Sequence, residues 1–442
     1  MTQPETCTQP NRQIWAIAGP AIIANSSAPL VGLVDTWVVG HLPGALHLAA
    51  VGVGATIFSF LFWAFGFLRM STTGLIAQAH GVQDINLIAR TVIRATSLGL
   101  LIASILLVFQ TALFSATMVA LNPPDSTQIV VWDYFSIRIW SAPAALFIYA
   151  VTGYLIGTAK AKLALVLQLV LNICNGVLNL VFVLGYGMGV AGIALGSLVA
   201  EYTAALLGAY MLVRGIGGTV LLKAFTSKIT WQINRMKKLL SANGYIFART
   251  LILLTALSLV TRYAASLGEA ALAATQVLST FLLLISLGLD SFAYAAEALA
   301  GAAFGRGSKT EFRFWAVRTT LWAGGVSLLY AAVFYLFGSQ IISVLTDIPE
   351  VQAEADQAII VMAFLPIFAV WCYQFDGIFI GATAGAGMLI SMAVAFVVFV
   401  TLLGPLTEML QLTGLWICLT IFMFSRGVAQ MVYYPRLERN LR

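Results

Sequence analysis

The chain has 442 residues, 60% of them hydrophobic and only 9% charged, with a formal net charge of +6 and a mean hydropathy of +0.95. Average soluble domains carry about 25% charged residues, so this composition excludes a soluble globular protein and implies a polytopic membrane protein, which the apolar segments below make all-α. The positive balance does not imply a nucleic-acid partner, because the bases gather in the loops on one side of the expected spans.

Apolar runs long enough to cross about 30 Å of hydrocarbon, roughly 20 residues each, predict twelve helices: 14–40, 46–78, 91–121, 128–158, 163–187, 189–213, 238–267, 270–303, 314–345, 357–383, 385–404 and 410–434. The runs exceed strand length and lack sustained polar–apolar alternation, which argues against a transmembrane barrel. The first holds Asp35, its only acid or base between Ile14 and Val39. A carboxylate there costs about 2.5–3.5 kcal/mol on insertion scales, and an acid at that depth is by default a proton or cation site. The alternative is a buried acid with a structural hydrogen bond. Pro20 and Pro29 lie upstream in the same helix; each removes a backbone donor and invites a bend, so bending in response to protonation is the expected switch.

In the fifth helix Asn172, Asn175 and Asn179 are spaced three and four apart and share one face. Ser197 and Glu201 make a similar stripe on the sixth. These amides and hydroxyls are either glue between helices or the neutral donors that a titrating Asp35 requires. The basic stretch from Arg214 to Lys238 follows as a linker, read as a solvated topology signal. Asp290 and Glu297 lie seven apart on the eighth helix, where Glu297 is close enough to the end to snorkel. Asp376, deep in the tenth, is a substrate contact or half of a structural pair. Arg69, Arg138, Arg249 and Arg426 are bases in apolar segments, and spacing does not assign them to particular acids.

A repeat organises these elements. Leu48-Ala49-Ala50 matches Leu272-Ala273-Ala274, Gly81 matches Gly305, and Gly153-Tyr154-Leu155-Ile156-Gly157 matches Gly377-Ile378-Phe379-Ile380-Gly381, all at an offset of 224 (272−48, 305−81, 377−153). The chain therefore reads as two six-helix lobes related by a parallel pseudo-two-fold repeat, which is transporter architecture. Residues 1–214 form the N-terminal lobe, 215–237 the linker and 238–442 the C-terminal lobe. Asp35 has no acidic counterpart, since position 259 is Leu. Lys and Arg collect at 90–94, 160–162, 214–238, 306–318 and 436–442, whereas His41, His47, Asp125, Asp347, Glu350, Glu354, Asp356 and Glu408 fall on the other side. The positive-inside rule then places both termini in the cytoplasm. The four cysteines suggest neither a disulfide framework nor a metal set. The sequence lacks HExxH, GxSxG and GxxxxGK[ST] motifs, so the expectation is a transporter with no cofactor, driven by an ion gradient. One charge crossing 100 mV supplies about 2.3 kcal/mol.

With Gly19-Pro20 followed by Asp35, the stretch Gly189 to Ser197, Ala295 to Gly301 and Asp376 to Thr383, the chain resembles the multidrug and toxic compound extrusion (MATE) transporters, in particular the DinF-like bacterial branch. The resemblance covers nearly the whole chain. It implies that Asp35 is the cation-coupling residue, surrounded by Asn175, by Asn179 where the family carries an Asp, by Ser197 in place of a Thr, and by Tyr134 from the fourth helix. With one carboxylate in place of two, proton coupling is expected over sodium. The implied function is antiport in a bacterial inner membrane, exporting small lipophilic, often cationic drugs, with membrane lipids as surroundings and no obligate protein partner. The nearest rival is a flippase of lipids or lipid-linked oligosaccharides, which would line its cavity with several bases for phosphate headgroups. An intramembrane enzyme and a non-transporting scaffold are more distant alternatives.

Overall fold

In hydrocarbon every backbone N–H and C=O has to be satisfied inside the protein, and an apolar helix does this within one segment. In the computed structural model of the protein, residues 9–40, 45–439 and 441 are described, and the side chains at 28, 30, 31, 33–36, 45, 235 and 238 are outside the described set. Cys7, His41 and Arg442 are also outside it.

The described residues contain helices and no strand: α1 (Pro10–Gly40), α2 (Ala45–Ala64), α3 (Phe67–Gly81), α4 (Ile85–Val108), α5 (Gln110–Leu121), α6 (Asp125–Arg138), α7 (Ala142–Gly157), α8 (Ala161–Leu180), α9 (Gly189–Ile216), α10 (Gly218–Thr226), α11 (Ile233–Leu267), α12 (Glu269–Gly305), α13 (Lys309–Leu345), α14 (Pro349–Gln357), α15 (Ile359–Gly381) and α16 (Gly385–Glu438). Among the described residues, ten helical segments are long and apolar enough to cross a membrane. The last of them, α16, is two helices joined at Gln411, whose backbone (φ 50°, ψ −131°) is not helical. With that break, and with α1, the twelve expected spans are present in two sets of six.

Several spans are compound. The second breaks between α2 and α3, and the fourth passes through a 3-10 turn at Ile139–Ser141 just ahead of Pro143. Pro20 and Pro29 both lie inside α1. The short helices α10 and α14 were not foreseen from hydropathy, because neither is long enough to span.

The described residues pack as two compact units, one from Pro20 to Leu239 and the other from Leu240 to residue 439 together with residues 9–19. They are called here the first and second lobe. The repeat inferred from sequence recurs atom by atom inside each. In the first lobe a Cβ on Gly153 would stand 2.9 Å from the Arg69 carbonyl oxygen, and one on Gly157 would stand 2.7 Å from that of Thr73. In the second, a Cβ on Gly377 would stand 2.4 Å from the Ala293 oxygen and one on Gly381 2.9 Å from the Glu297 oxygen. All four contacts are related by 224 residues, and only glycine lets the α3–α7 and α12–α15 backbones approach so closely. The turns repeat too. Gln83 and Gly307 have φ of +57° and +74°, and each is followed by a capping side chain: Asp84 accepts from Leu87 N at 2.9 Å and Ser308 from Glu311 N at 3.3 Å.

Candidate functional site

Helix α8 presents two faces. Ile173 and Val177 are exposed, while Asn172, Asn175 and Asn179 are buried, as the 3.6-residue period requires when one side meets lipid and the other the bundle. The buried face forms a ladder of neutral hydrogen bonds. Gln168 Nε2 donates to Asn172 Oδ1 at 3.1 Å, and Asn172 Nδ2 donates to Ser27 Oγ on α1 at 2.7 Å. Ser27 Oγ in turn donates to the Ala24 carbonyl at 2.7 Å. One turn along, Asn179 Nδ2 donates to Asn175 Oδ1 at 3.3 Å, and Asn175 Nδ2 to Ser197 Oγ on α9 at 2.7 Å. Gly196 makes this contact possible, because a Cβ there would lie 2.1 Å from Asn179 Oδ1. The ladder thus joins α1, α8 and α9 without a charge. Asp35 is in α1, and its side chain lies outside the described residues.

Glu201 faces a different partner. Arg138 Nη2 donates to Glu201 Oε1 at 2.5 Å, and Arg138 Nη1 also donates to Ser141 Oγ. The guanidinium sits over the rings of Phe58 and Phe62, at 5.4 and 5.3 Å. Glu201 Oε2 is buried with no hydrogen-bond partner among the described residues. Tyr134, one turn before Arg138, is buried against Phe58 and Gly54 and interacts with the Arg138 guanidinium. The Ser197–Glu201 stripe therefore splits: Ser197 completes the amide ladder and Glu201 completes an ion pair with the helix that carries Tyr134.

The second lobe concentrates full charges. Arg249 Nη2 on α11 and Arg426 Nη2 on α16 both donate to Asp376 Oδ2 on α15, the latter at 2.7 Å. Gln430 Nε2 donates to Asp376 Oδ1 at 2.7 Å. Asp376 thus accepts from two guanidinium groups and an amide, the partners that the structural-pair alternative calls for. Asp290 on α12 lies within electrostatic reach of Arg249. Glu297 is 1% exposed, so it does not snorkel out of its helix end.

Three partners escaped the sequence reading. Ser27 was marked only by the polar run Asn25-Ser26-Ser27, Gln168 by its place one turn before Asn172, and Gln430 by its place one turn after Arg426. No cluster of three or more His, Cys, Asp or Glu that could hold a metal occurs among the described residues.

The MatE family pattern matches residues 20–182 and 246–406, one segment in each half. The chain is 37% identical over 439 residues to the DNA damage-inducible protein F of Escherichia coli (strain K12), covering 98% of this chain and 94% of that one. It is 26% identical to Protein DETOXIFICATION 44, chloroplastic, of Arabidopsis thaliana over 94% of this chain and 81% of that one. Among solved structures, a MATE crystal structure in the bent conformation superimposes with a TM-score of 0.88 at 20% identity, covering 98% of this chain and 96% of that one. The straight conformation gives 0.87 at 20% identity, over 98% and 97%. The chain belongs to the MatE family of multidrug and toxin extrusion transporters.

Proposed function

We propose that the protein is a proton-coupled antiporter that exports lipophilic, often cationic compounds by alternating access, with Asp35 as the protonation site. The supporting observation is the register fixed by the Asn172–Ser27 hydrogen bond. Helices α1 and α8 are the first and fifth crossings, so they run in the same direction. Asn179 lies seven residues past Asn172, about 10 Å along the axis, and Asp35 lies eight residues past Ser27, about 12 Å. The Asp35 backbone is therefore level with the Asn175–Asn179–Ser197 end of the ladder. Amides and a hydroxyl both donate and accept, so they can follow a carboxyl group through its change of charge. Their neutrality supports proton over sodium coupling, since hard cations favour clustered carboxylates. Pro20 and Pro29 give α1 two places to bend when Asp35 gains or loses its proton.

The flippase reading is weaker, because Arg138 in the first lobe is held by Glu201 and is not open to a phosphate headgroup. Names of relatives support drug substrates: a human relative, 28% identical over 202 residues (44% of this chain and 34% of that one), is Multidrug and toxin extrusion protein 1. The same reading assigns the protein to a bacterial inner membrane with both termini cytoplasmic, and takes 1–214 and 238–442 as the N-terminal and C-terminal six-helix repeats with 215–237 as the linker between them.

The test uses everted vesicles with an imposed proton gradient and ethidium as substrate. Ethidium-dependent collapse of the gradient without sodium is expected in the wild type, and its loss is expected in Asp35→Asn. Collapse that persists in the mutant, or that needs sodium, overturns the assignment.

A further inference from the structure

The linker between the lobes has more structure than a solvated charge run. Helix α10 buries Ala224, while Leu222 and Phe225 are 65% and 54% exposed. Past its end the chain turns back on itself: Thr230 Oγ1 donates to the Ala224 carbonyl at 2.5 Å, and Trp231 Nε1 to the Phe225 carbonyl at 2.8 Å. This sets the Trp231 ring edge-to-face against Phe225, with centroids 5.9 Å apart. The fold-back is anchored from beneath by a buried arginine. Arg94 of α4 donates from Nε to the Thr230 carbonyl at 2.7 Å and from Nη2 to the Ile229 carbonyl at 3.2 Å. The segment carrying the aromatic pair is thereby tied to α4, with Ile229, Trp231 and Ile233 all exposed.

The charge around it has one sign. Between Glu201 and Glu269 the sequence contains no acid, and the stretch 214–238 contains Arg214, Lys223, Lys228, Arg235, Lys237 and Lys238. Lys223 and Lys228 are exposed beside the aromatic pair. Lys160 Nζ would lie 3.5 Å from a Cβ on Gly215, so a base from the loop before α8 stands at the same end of the lobe. Exposed Leu, Phe and Trp flanked by Lys, on a short helix joining two membrane spans, is the composition of a segment that lies in the interface and meets anionic headgroups.

We propose that residues 218–233 form an interfacial docking surface for anionic phospholipid, with Leu222, Phe225 and Trp231 entering the headgroup–acyl boundary and Lys223 and Lys228 engaging the phosphates. Because Arg94 ties this surface to α4, lipid held here acts on the first lobe directly and not on a free loop. Basic side chains near a charged bilayer each contribute about five-fold in affinity. The inference requires the membrane-spanning fold but not the drug-export reading.

The experiment reads contact without transport. Full-length protein is reconstituted in neutral phosphatidylcholine vesicles carrying small, equal fractions of brominated phosphatidylglycerol or brominated phosphatidylcholine, and tryptophan quenching is compared between wild type and Trp231→Phe. The Trp231 component is expected to be quenched several-fold more effectively by the anionic lipid. In Lys223→Gln/Lys228→Gln that preference is lost, so that both lipids quench alike, while Lys309→Gln leaves it unchanged, and millimolar inorganic phosphate does not compete. Equal quenching of the wild type by both lipids reduces the surface to a nonspecific apolar contact. Absence of Trp231 quenching means that another protein surface covers it. Competition by phosphate makes the ligand a free anion. Each of these outcomes overturns the proposal.

Discussion

The two lobes share a backbone repeat and differ in what they bury. Shifted by 224 residues, Asn172, Asn175 and Asn179 of the first lobe become Phe396, Phe399 and Leu403 in the second, and the ladder is replaced by apolar packing. In the other direction Arg249, Asp376 and Arg426 become Asn25, Thr152 and Tyr202. Neutral amides can exchange donor and acceptor roles as a neighbouring carboxyl group titrates. An acid saturated by two guanidinium groups has little freedom to change charge, since losing either partner strands a buried ion. A common scaffold thus carries a neutral amide ladder in one lobe and an acid enclosed by two guanidinium groups in the other.

The largest expected effect tests the fixed lobe. Arg249→Ala leaves Asp376 with a single base, and Arg426→Ala does the same, so each should destabilise the protein by about 3–5 kcal/mol. Asp376→Asn should be comparably harmful, because it strands the two arginines. Thermal or denaturant unfolding of the purified protein in detergent would measure this. Stability unchanged in all three would mean that the cluster does not hold α11, α15 and α16 together. Next comes the shared crossing: Gly377→Ala places a Cβ 2.4 Å from a backbone oxygen and Gly153→Ala places one at 2.9 Å. Overpacking of this kind costs about 1–3 kcal/mol, with Gly377→Ala expected at the upper end. A reversed order in the same unfolding assay would mean that the two crossings relax differently.

Smaller stability effects should carry larger transport effects in the first lobe. Asn175→Ala removes one interhelical pair, for about 0.6–2 kcal/mol, yet should sharply lower ethidium-dependent proton flux; full flux with the ladder broken would detach it from coupling. Asn179→Asp, which brings a carboxylate into the ladder, should cost little stability and introduce a sodium dependence, read by repeating the vesicle assay with and without sodium. If flux in that variant stays indifferent to sodium, the number of carboxylates does not select the ion.

Much of the fold could be read from the residues. Twelve spans followed from apolar length, because the bilayer sets a minimum run of about 20 residues, and the 224-residue offset paired Gly153 and Gly157 with Gly377 and Gly381, which pack alike in the two lobes. The amide face of α8 was legible for the same reason, a fixed helical period. Its partners were less so. Asn172 reaches Ser27 across 145 positions and Arg249 reaches Asp376 across 127, separations that carry no local signal. The linker shows the same gap: six bases marked a membrane side, but nothing in their spacing announced that Arg94 would seize the carbonyls of Ile229 and Thr230.

Sequence by itself determined that this protein is a helical membrane transporter of two repeated lobes, because hydropathy and helical period act locally and repeat with the chain. Tertiary structure alone decided which polar groups meet. It gave Glu201 to Arg138 and Ser197 to Asn175, although the two acceptors sit one turn apart on α9, and it enclosed Asp376 between two arginines. Buried polar groups take the partner that close packing brings within about 3 Å, and that choice is made between helices, where no spacing along the chain records it.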